Sequence, residues 1–201
     1  MKTAFADRSR RRLCVSAAAL CAAALGAGLA ARAHATAVAA DHGRVDPPVP
    51  VPNLPVRRAG DGTSVGLAAL LRGRATALHL MFTGCSSVCP LQGAIFERVQ
   101  ALLPDQAARG IQLMSLSIDP LADTPLAMRE WLARFDAQTG WIAVAPEPKD
   151  LDRLLGLFGA AGNGVDAHAT QVNIIDRRGD LVFRTPELPS ADAIANILRR
   201  V

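Results

Sequence analysis

The apolar residues of this chain change repeatedly between strand-like runs and helix-like spacing from residue 75 to the C-terminus. Residues 75–82 (ATALHLMF) and 111–118 (IQLMSLSI) are short apolar runs of the kind that buried strands show. A third strand is predicted at 141–145. Residues 171–175 and 181–183 flank a Gly-containing turn segment, which predicts a hairpin.

Helical spacing separates these strands. Residues 90–103 repeat apolar side chains at helical intervals, and Pro90 suits a first helical position. Thr124-Pro125 is a typical N-cap and first-turn pair, which predicts a second helix. Residues 150–158 predict a third helix, and Ser190 is the expected N-cap of a last one.

Strands that alternate with helices and end in a hairpin and a helix predict an α/β fold. We expect a thioredoxin-like three-layer sandwich, with a central mixed β-sheet and flanking helices. One domain over residues 53–201 fits the usual size. Residues 36–52 are rich in Pro and Ala and predict a flexible tether.

Residues 1–35 have the features of a signal peptide. Arginines at positions 8 and 10–12 precede an uncharged run over residues 13–31, and Ala33-His34-Ala35 resembles a cleavage site. The arginines also fit a twin-arginine signal. An uncleaved anchor is the alternative, because 19 residues are about enough to span a bilayer. Either outcome predicts export to the periplasm or another extracytoplasmic space, with membrane association only if the segment is retained.

Removal of the signal changes the charge balance. The whole chain has a formal net charge of +4, whereas residues 36–201 hold 16 basic and 17 acidic side chains. The high isoelectric point therefore belongs to the signal, and no nucleic-acid partner is expected. Cys14 and Cys21 leave with the signal. Cys85 and Cys89 are the cysteines of the exported chain, which is expected to be in an oxidising compartment.

Cys85 and Cys89 fall where the first predicted core strand turns into its helix. Helical spacing would place their Cβ atoms about 5–6 Å apart, whereas a disulfide needs a separation of about 3.8 Å. The spacing favours a shared metal without excluding redox chemistry. A helix N-terminus also favours thiolate, which is both the metal ligand and the nucleophile. Two inert buried cysteines are the less favoured alternative.

Three histidines remain as candidate third ligands. His42 lies in the tether and is expected to be solvated, and His79 lies inside an apolar strand and is expected to be a packed core residue. His168 lies in a loop before the hairpin, where a ligand role and an ordinary exposed position are both open. Two thiolates and an imidazole would form a soft set that favours Cu(I), or Zn²⁺ if a fourth ligand exists.

Three motifs together resemble the SCO/SenC family. They are Cys85-x-x-x-Cys89-Pro90, then Ser117-Ile118-Asp119-Pro120-x-x-Asp123-Thr124-Pro125, and finally Asp166-x-His168. The resemblance implies a thioredoxin-like copper protein that delivers copper to the dinuclear copper site of cytochrome c oxidase. It also implies that Cys85, Cys89 and His168 bind copper, as Cu(I) and with Cu(II) left open.

Some residues depart from this family pattern or fall outside the ligand set. Many members have proline at the position of Ser86, and the usual N-terminal anchor is here a predicted signal. We interpret Asp119 and Asp123 as strand-end and helix-start residues, and Met81 and Met114 as core residues.

Two enzymatic functions compete with copper transfer. A thiol-disulfide oxidoreductase would use Cys85 and Cys89 as its catalytic redox pair, although C-x3-C differs from the thioredoxin C-x2-C. Thr170 also stands near the place where thioredoxins keep a cis-proline. A peroxidase is less favoured, because Phe82 replaces the proline that a peroxiredoxin motif requires.

The sequence thus predicts an exported copper metallochaperone with possible thiol-disulfide oxidoreductase activity. Its expected partners are a respiratory oxidase subunit with a copper site and a copper donor or thiol reductant.

Overall fold

A computed structural model of the chain describes residues 42–159 and 169–201. The expected signal (1–35), the first residues of the expected tether and His168 lie outside the described residues. Among the described residues, none of the helices has the length and hydrophobicity of a membrane span. The strands are β1 (Gly43–Pro50), β2 (Pro55–Arg58), β3 (Ser64–Gly66), β4 (Ala75–Met81), β5 (Ile111–Ser117), β6 (Trp141–Pro146), β7 (Asn173–Ile175) and β8 (Asp180–Arg184). The helices are α1 (Leu67–Leu71), α2 (Val88–Leu102), α3 (Pro125–Ala133), α4 (Leu151–Leu157) and α5 (Ala191–Leu198), with a 3₁₀ turn at Pro148–Asp150.

The strands form one mixed sheet in the order β1-β8-β7-β4-β5-β6-β2-β3. Strands β4, β5 and β6 are parallel, whereas the remaining neighbours are antiparallel. The register pairs Ala75 with Ile111 and Met81 with Ser117, so β4 and β5 begin and end together. The polar residues that follow both strands are therefore brought to one edge of the sheet.

Helices cover both faces of this sheet. Ala77 and Met81 of β4 belong to a buried cluster that includes residues of α2, α3 and α5. Leu78 and Leu80 belong to a second cluster, with residues of α1 and α4. Because successive strand side chains point to opposite faces, one apolar run supplies both clusters. The predicted three-layer sandwich is confirmed.

The predicted helix starts are confirmed at two N-caps. The hydroxyl of Thr124 accepts a hydrogen bond from the Ala127 N–H at 3.1 Å, and the hydroxyl of Ser190 accepts one from the Ala193 N–H at 3.2 Å. One detail was wrong, because α2 begins at Val88 and Pro90 is its third residue. Proline is still tolerated there, since the first-turn N–H groups of a helix have no intrahelical partner.

The expected tether over residues 36–52 is corrected by β1. Gly43–Pro50 pairs antiparallel with β8 as an edge strand, and Val51 behind it is buried. The prolines of this stretch suggested an unpaired chain. An edge strand pairs on one side alone, so residues without an N–H can be accommodated there, and the register of β1 shifts between Arg44 and Val49.

Candidate metal centre

The two predicted thiol ligands lie where β4 passes into α2, at the edge where β4 and β5 both end. Cys85 is in the turn between the two elements, and Cys89 is the second residue of α2. Cys85 is 8% exposed and Cys89 is 2% exposed, and both belong to the cluster beneath α2, α3 and α5. The pair is thus just below the surface.

The sulfur of Cys85 accepts the hydrogen bond that a helix cap would normally accept. The N-cap residue of α2 is Ser87, whose side chain makes no capping hydrogen bond. Instead, the Cys89 N–H donates to Cys85 Sγ at 3.4 Å, and the Ser87 hydroxyl lies 3.7 Å from the same sulfur. The Cys85 N–H donates to the Phe82 carbonyl at 3.1 Å, which closes the turn. A first-turn N–H of the helix therefore donates to a sulfur atom.

The two thiols differ in their acidity. Burial alone would raise the pKa of the Cys85 thiol, but hydrogen bonds from the Cys89 side chain and from Ser87 and Cys89 N–H groups outweigh it and lower this pKa. Burial raises the pKa of Cys89 to about 12, and the hydrogen bond to Cys85 and the charge of Asp123 act in the same direction. Cys85 is thus the more acidic thiol of the pair, and Cys89 retains its proton until a partner displaces it.

Both cysteines are free thiols in this structure. A thiolate beside a neutral thiol can act as a nucleophile with a second thiol ready to displace its product. Two thiolates are equally the ligand set that a soft metal prefers. The geometry supports either chemistry at the same two residues.

Asp123 links the cysteine turn to the end of β5. Its Oδ1 accepts hydrogen bonds from the Thr83 N–H at 2.9 Å and from the Thr83 hydroxyl at 2.7 Å. Its Oδ2 accepts a hydrogen bond from the Ser117 hydroxyl at 2.6 Å. The residue is 1% exposed, and it immediately precedes the N-cap of α3.

Asp123 is at the predicted helix start, and its contact with the cysteine turn was not predicted from the sequence. A usable signal was present, because Thr83 and Ser117 are polar residues at the ends of two adjacent parallel strands. Asp119 is in the predicted strand-end position, and its carboxylate accepts a hydrogen bond from the Ala122 N–H at 3.3 Å.

The described histidines do not join the thiols. His79 is fully buried, and its Nε2 lies 2.7 Å from the Ser115 hydroxyl, with the ring centroid of Phe96 at 4.3 Å. Burial lowers the pKa of His79 to about 3, so this imidazole is neutral. His79 is therefore the packed core histidine that was predicted, and His42 is exposed as expected.

Cys85 and Cys89 are the two predicted ligands that the structure places together. Among residues 42–159 and 169–201, no three His, Cys, Asp or Glu side chains are grouped to hold a metal ion. The third predicted ligand, His168, lies outside the described residues, so the set Cys85, Cys89 and His168 stays a prediction. Met81 and Met114 are buried core residues, as predicted.

A sequence model of the SCO1/SenC family matches residues 60–201. The chain belongs to the SCO1/SenC family. The match includes the cysteine turn, the β5 edge with Asp123 and the C-terminal hairpin, and it confirms the resemblance of the three motifs.

Known proteins resemble parts or all of this SCO1/SenC domain. A Stutzerimonas stutzeri protein named "Putative copper-binding protein" is 30% identical over 89 residues, which are 44% of this chain and 43% of that protein. The structure of Bradyrhizobium japonicum ScoI with copper bound is 20% identical, with a TM-score of 0.61, and covers 76% of this chain and 98% of the other. BsSco, described as a Sco family cytochrome c oxidase assembly protein with a disulfide switch, is 18% identical, with a TM-score of 0.57 and coverages of 78% and 96%.

The similar proteins differ in how much of their length matches this SCO1/SenC chain. The two structures share its fold across most of their length. The Stutzerimonas match spans less than half of either protein.

Proposed function

We propose that this SCO1/SenC protein is an exported copper metallochaperone. It binds Cu(I) through Cys85, Cys89 and His168 and transfers it to the copper site of a respiratory oxidase. The observation that carries this proposal is the thiol pair at the carboxyl edge of β4, where the Cys89 N–H donates to Cys85 Sγ and hydrogen bonds lower the pKa of the Cys85 thiol.

The similar proteins support copper as the cargo. ScoI of Bradyrhizobium japonicum has been seen with copper bound, and the Stutzerimonas relative has a copper-binding description. The description of BsSco as a cytochrome c oxidase assembly protein supports an oxidase as the recipient. The features of residues 1–35 support export, which would place the site where such a copper centre is assembled.

The site suits transfer better than permanent storage. Cu(I) binding requires both sulfurs as thiolates, so the Cys89 proton must be displaced when the metal enters. Cys85 lies in a turn at the domain edge, where the thiolates of a partner can replace its ligands one at a time. In such an exchange the copper stays bound throughout, and protons return to the released thiols.

The difference in pKa between the two thiols favours thiol-disulfide exchange as a second function. The Cys85 thiolate would attack one sulfur of a partner's disulfide, forming a mixed disulfide and releasing one partner thiolate. Cys89, after losing its proton, would then attack Cys85 Sγ and release the second. Two electrons pass to the partner, and Cys85 and Cys89 end as a disulfide that cannot bind Cu(I) as two thiolates. The disulfide switch described for BsSco supports this alternative.

Titration with Cu(I) against a competing chelator tests the copper function. The reduced full-length protein is used with Cys14→Ser and Cys21→Ser, so that the remaining sulfur ligands are those of the site. We expect one tight equivalent, and we expect Cys85→Ser, Cys89→Ser and His168→Ala each to weaken it by about tenfold or more. The exposed His42→Ala is the matched control and should leave the affinity unchanged.

Two outcomes separate the candidate functions. Loss of tight binding in all three ligand variants, with transfer of the metal to the isolated copper domain of an oxidase subunit, supports the metallochaperone. Weak wild-type binding that His168→Ala does not change would contradict it. Rapid reduction of that domain's disulfide by wild-type protein would then support the thiol-disulfide function.

A further inference from the structure

A buried carboxylate ties together the ends of two strands and the start of a helix beside the cysteines. Asp123 accepts three hydrogen bonds of 2.6–2.9 Å, two from Thr83 and one from Ser117. Thr83 directly precedes Gly84 and Cys85, whereas Ser117 is the last residue of β5. The two bonds from Thr83 connect residues that are 40 positions apart in the chain.

The Asp123 contact lies directly before Cys85 in the turn. Beyond Met81 the chain leaves the sheet, and the Thr83 N–H then donates to Asp123, while the Cys85 N–H donates to the Phe82 carbonyl. The turn is therefore held at two successive points directly before the first sulfur. The Ile118 N–H donates to the Met81 carbonyl at 2.8 Å, which holds the β5 end against the same place.

Burial makes the contact rigid. A carboxylate that is 1% exposed needs good hydrogen bonds to offset its desolvation, and charge-assisted bonds of this length are strong. Releasing Thr83 would leave the carboxylate without two of its three partners. The turn is therefore held in one arrangement. In it, Cys85 Sγ accepts the hydrogen bond from the Cys89 N–H at the start of α2.

We propose that Asp123 is a positioning residue, whose carboxylate holds the Thr83–Cys85 turn in the geometry that keeps Cys85 and Cys89 as a dithiol ready for its partner. The inference deepens the proposed function and rests on it for the identity of that partner, which is Cu(I). Without the anchor, Cys85 gains freedom to approach Cys89. Disulfide formation becomes easier, and the ligand pair is less preorganised for the metal.

The test compares Asp123→Ala with Val144→Ala, both in the Cys14→Ser and Cys21→Ser background. Val144 is a buried residue of the cluster on the opposite sheet face, so its truncation lowers the Tm without touching the turn. Two quantities are measured, the equilibrium of Cys85 and Cys89 with glutathione and the affinity for Cu(I).

We expect Asp123→Ala to shift the glutathione equilibrium toward the disulfide by about tenfold, which is about 30 mV. We expect it to weaken Cu(I) binding by about tenfold. Val144→Ala should leave both quantities within about twofold of wild type. Wild-type values in Asp123→Ala, a shift toward the dithiol, or an equal change in Val144→Ala at a similar Tm would overturn the proposal.

Conservative variants keep the test decisive if Asp123→Ala does not fold. Asp123→Asn retains an acceptor oxygen for Thr83 and should restore both quantities to within about threefold of wild type. An Asn variant that folds with altered values like those expected for Ala would contradict the hydrogen-bonding basis. Thr83→Val removes the hydroxyl bond alone and should shift both quantities in the same direction by about threefold. Unchanged values in Thr83→Val would also overturn the proposal.

The glutathione equilibrium requires no copper. Wild-type protein that fails to bind Cu(I) would therefore defeat the proposed function, whereas the disulfide equilibrium would still decide the role of Asp123.

Discussion

The backbone N–H of Cys89 points at the sulfur of Cys85, with 3.4 Å between nitrogen and sulfur. This bond acts together with hydrogen bonds from the Cys89 side chain and the Ser87 N–H to lower the pKa of the Cys85 thiol. Burial raises the pKa of Cys89 to about 12, so the two thiols differ in acidity. Cys85 lies at a helix N-terminus and Cys89 is the more buried residue, and the resulting difference in thiol acidity can be measured.

Alkylation should distinguish the two cysteines. At pH 8 iodoacetamide should modify Cys85 about tenfold faster than Cys89, or faster still, because the thiolate is the reacting form. Partial labelling of the Cys14→Ser, Cys21→Ser protein followed by peptide mass spectrometry measures both rates. Equal labelling, or faster labelling of Cys89, would show that the predicted difference in pKa is wrong.

Copper affinity should rise with pH. Cu(I) displaces the proton of Cys89, whose pKa is about 12, and below the lowered pKa of Cys85 it displaces a second proton. The logarithm of the association constant should therefore rise by about one for each pH unit above the pKa of Cys85, and by about two below it. Chelator competition from pH 6 to pH 9 measures the slope. A pH-independent affinity would argue against a dithiolate site.

His79 should make the fold sensitive to mild acid. Its folded-state pKa of about 3 lies below the ordinary value of 6.5, so the unfolded chain binds a proton that the native state rejects. Stability from this group is complete above pH 6.5 and is lost as the pH falls toward 3. The free energy of unfolding should drop by about 2 kcal/mol between pH 7.5 and pH 5. Urea unfolding at both values measures it, and His79→Leu should remove most of the difference.

Two helical glycines should respond in opposite ways to alanine. A methyl group on Gly93 of α2 would overlap the Phe135 ring, so Gly93→Ala should destabilise the fold by about 1–3 kcal/mol. Gly156 of α4 is exposed, and no neighbouring atom lies within 4 Å of the place that an added methyl group would occupy. Gly156→Ala should therefore stabilise the fold by about 0.5–1 kcal/mol. Urea unfolding of both variants at neutral pH measures the two changes. Equal signs would contradict the packing of α2 against Phe135.

Local patterns were sufficient to predict the core strands and the helix caps. The runs that became β4 and β5 are buried on both faces, because helices cover both sides of the sheet there. Thr124 and Ser190 are caps through contacts three residues away. Such contacts are encoded within a short window of the sequence.

The features that were not predicted depend on contacts between residues that are distant in the sequence. The β1 strand looked like a tether because its pairing with β8 involves residues that are far away in the chain, and its prolines suggested an unpaired chain. Asp123 looked like a helix-start residue because its partner Thr83 is reached only when β4 and β5 lie side by side. The cysteine pair itself was predictable, since both sulfurs lie within one turn and the first turn of one helix.

X-ray absorption of the Cu(I)-loaded protein identifies the atoms bound to the metal and so tests the proposed ligand set. We expect two sulfur ligands and one imidazole nitrogen, with the nitrogen lost in His168→Ala and one sulfur lost in Cys85→Ser. A spectrum that neither substitution alters would place the copper elsewhere and contradict the proposed copper site.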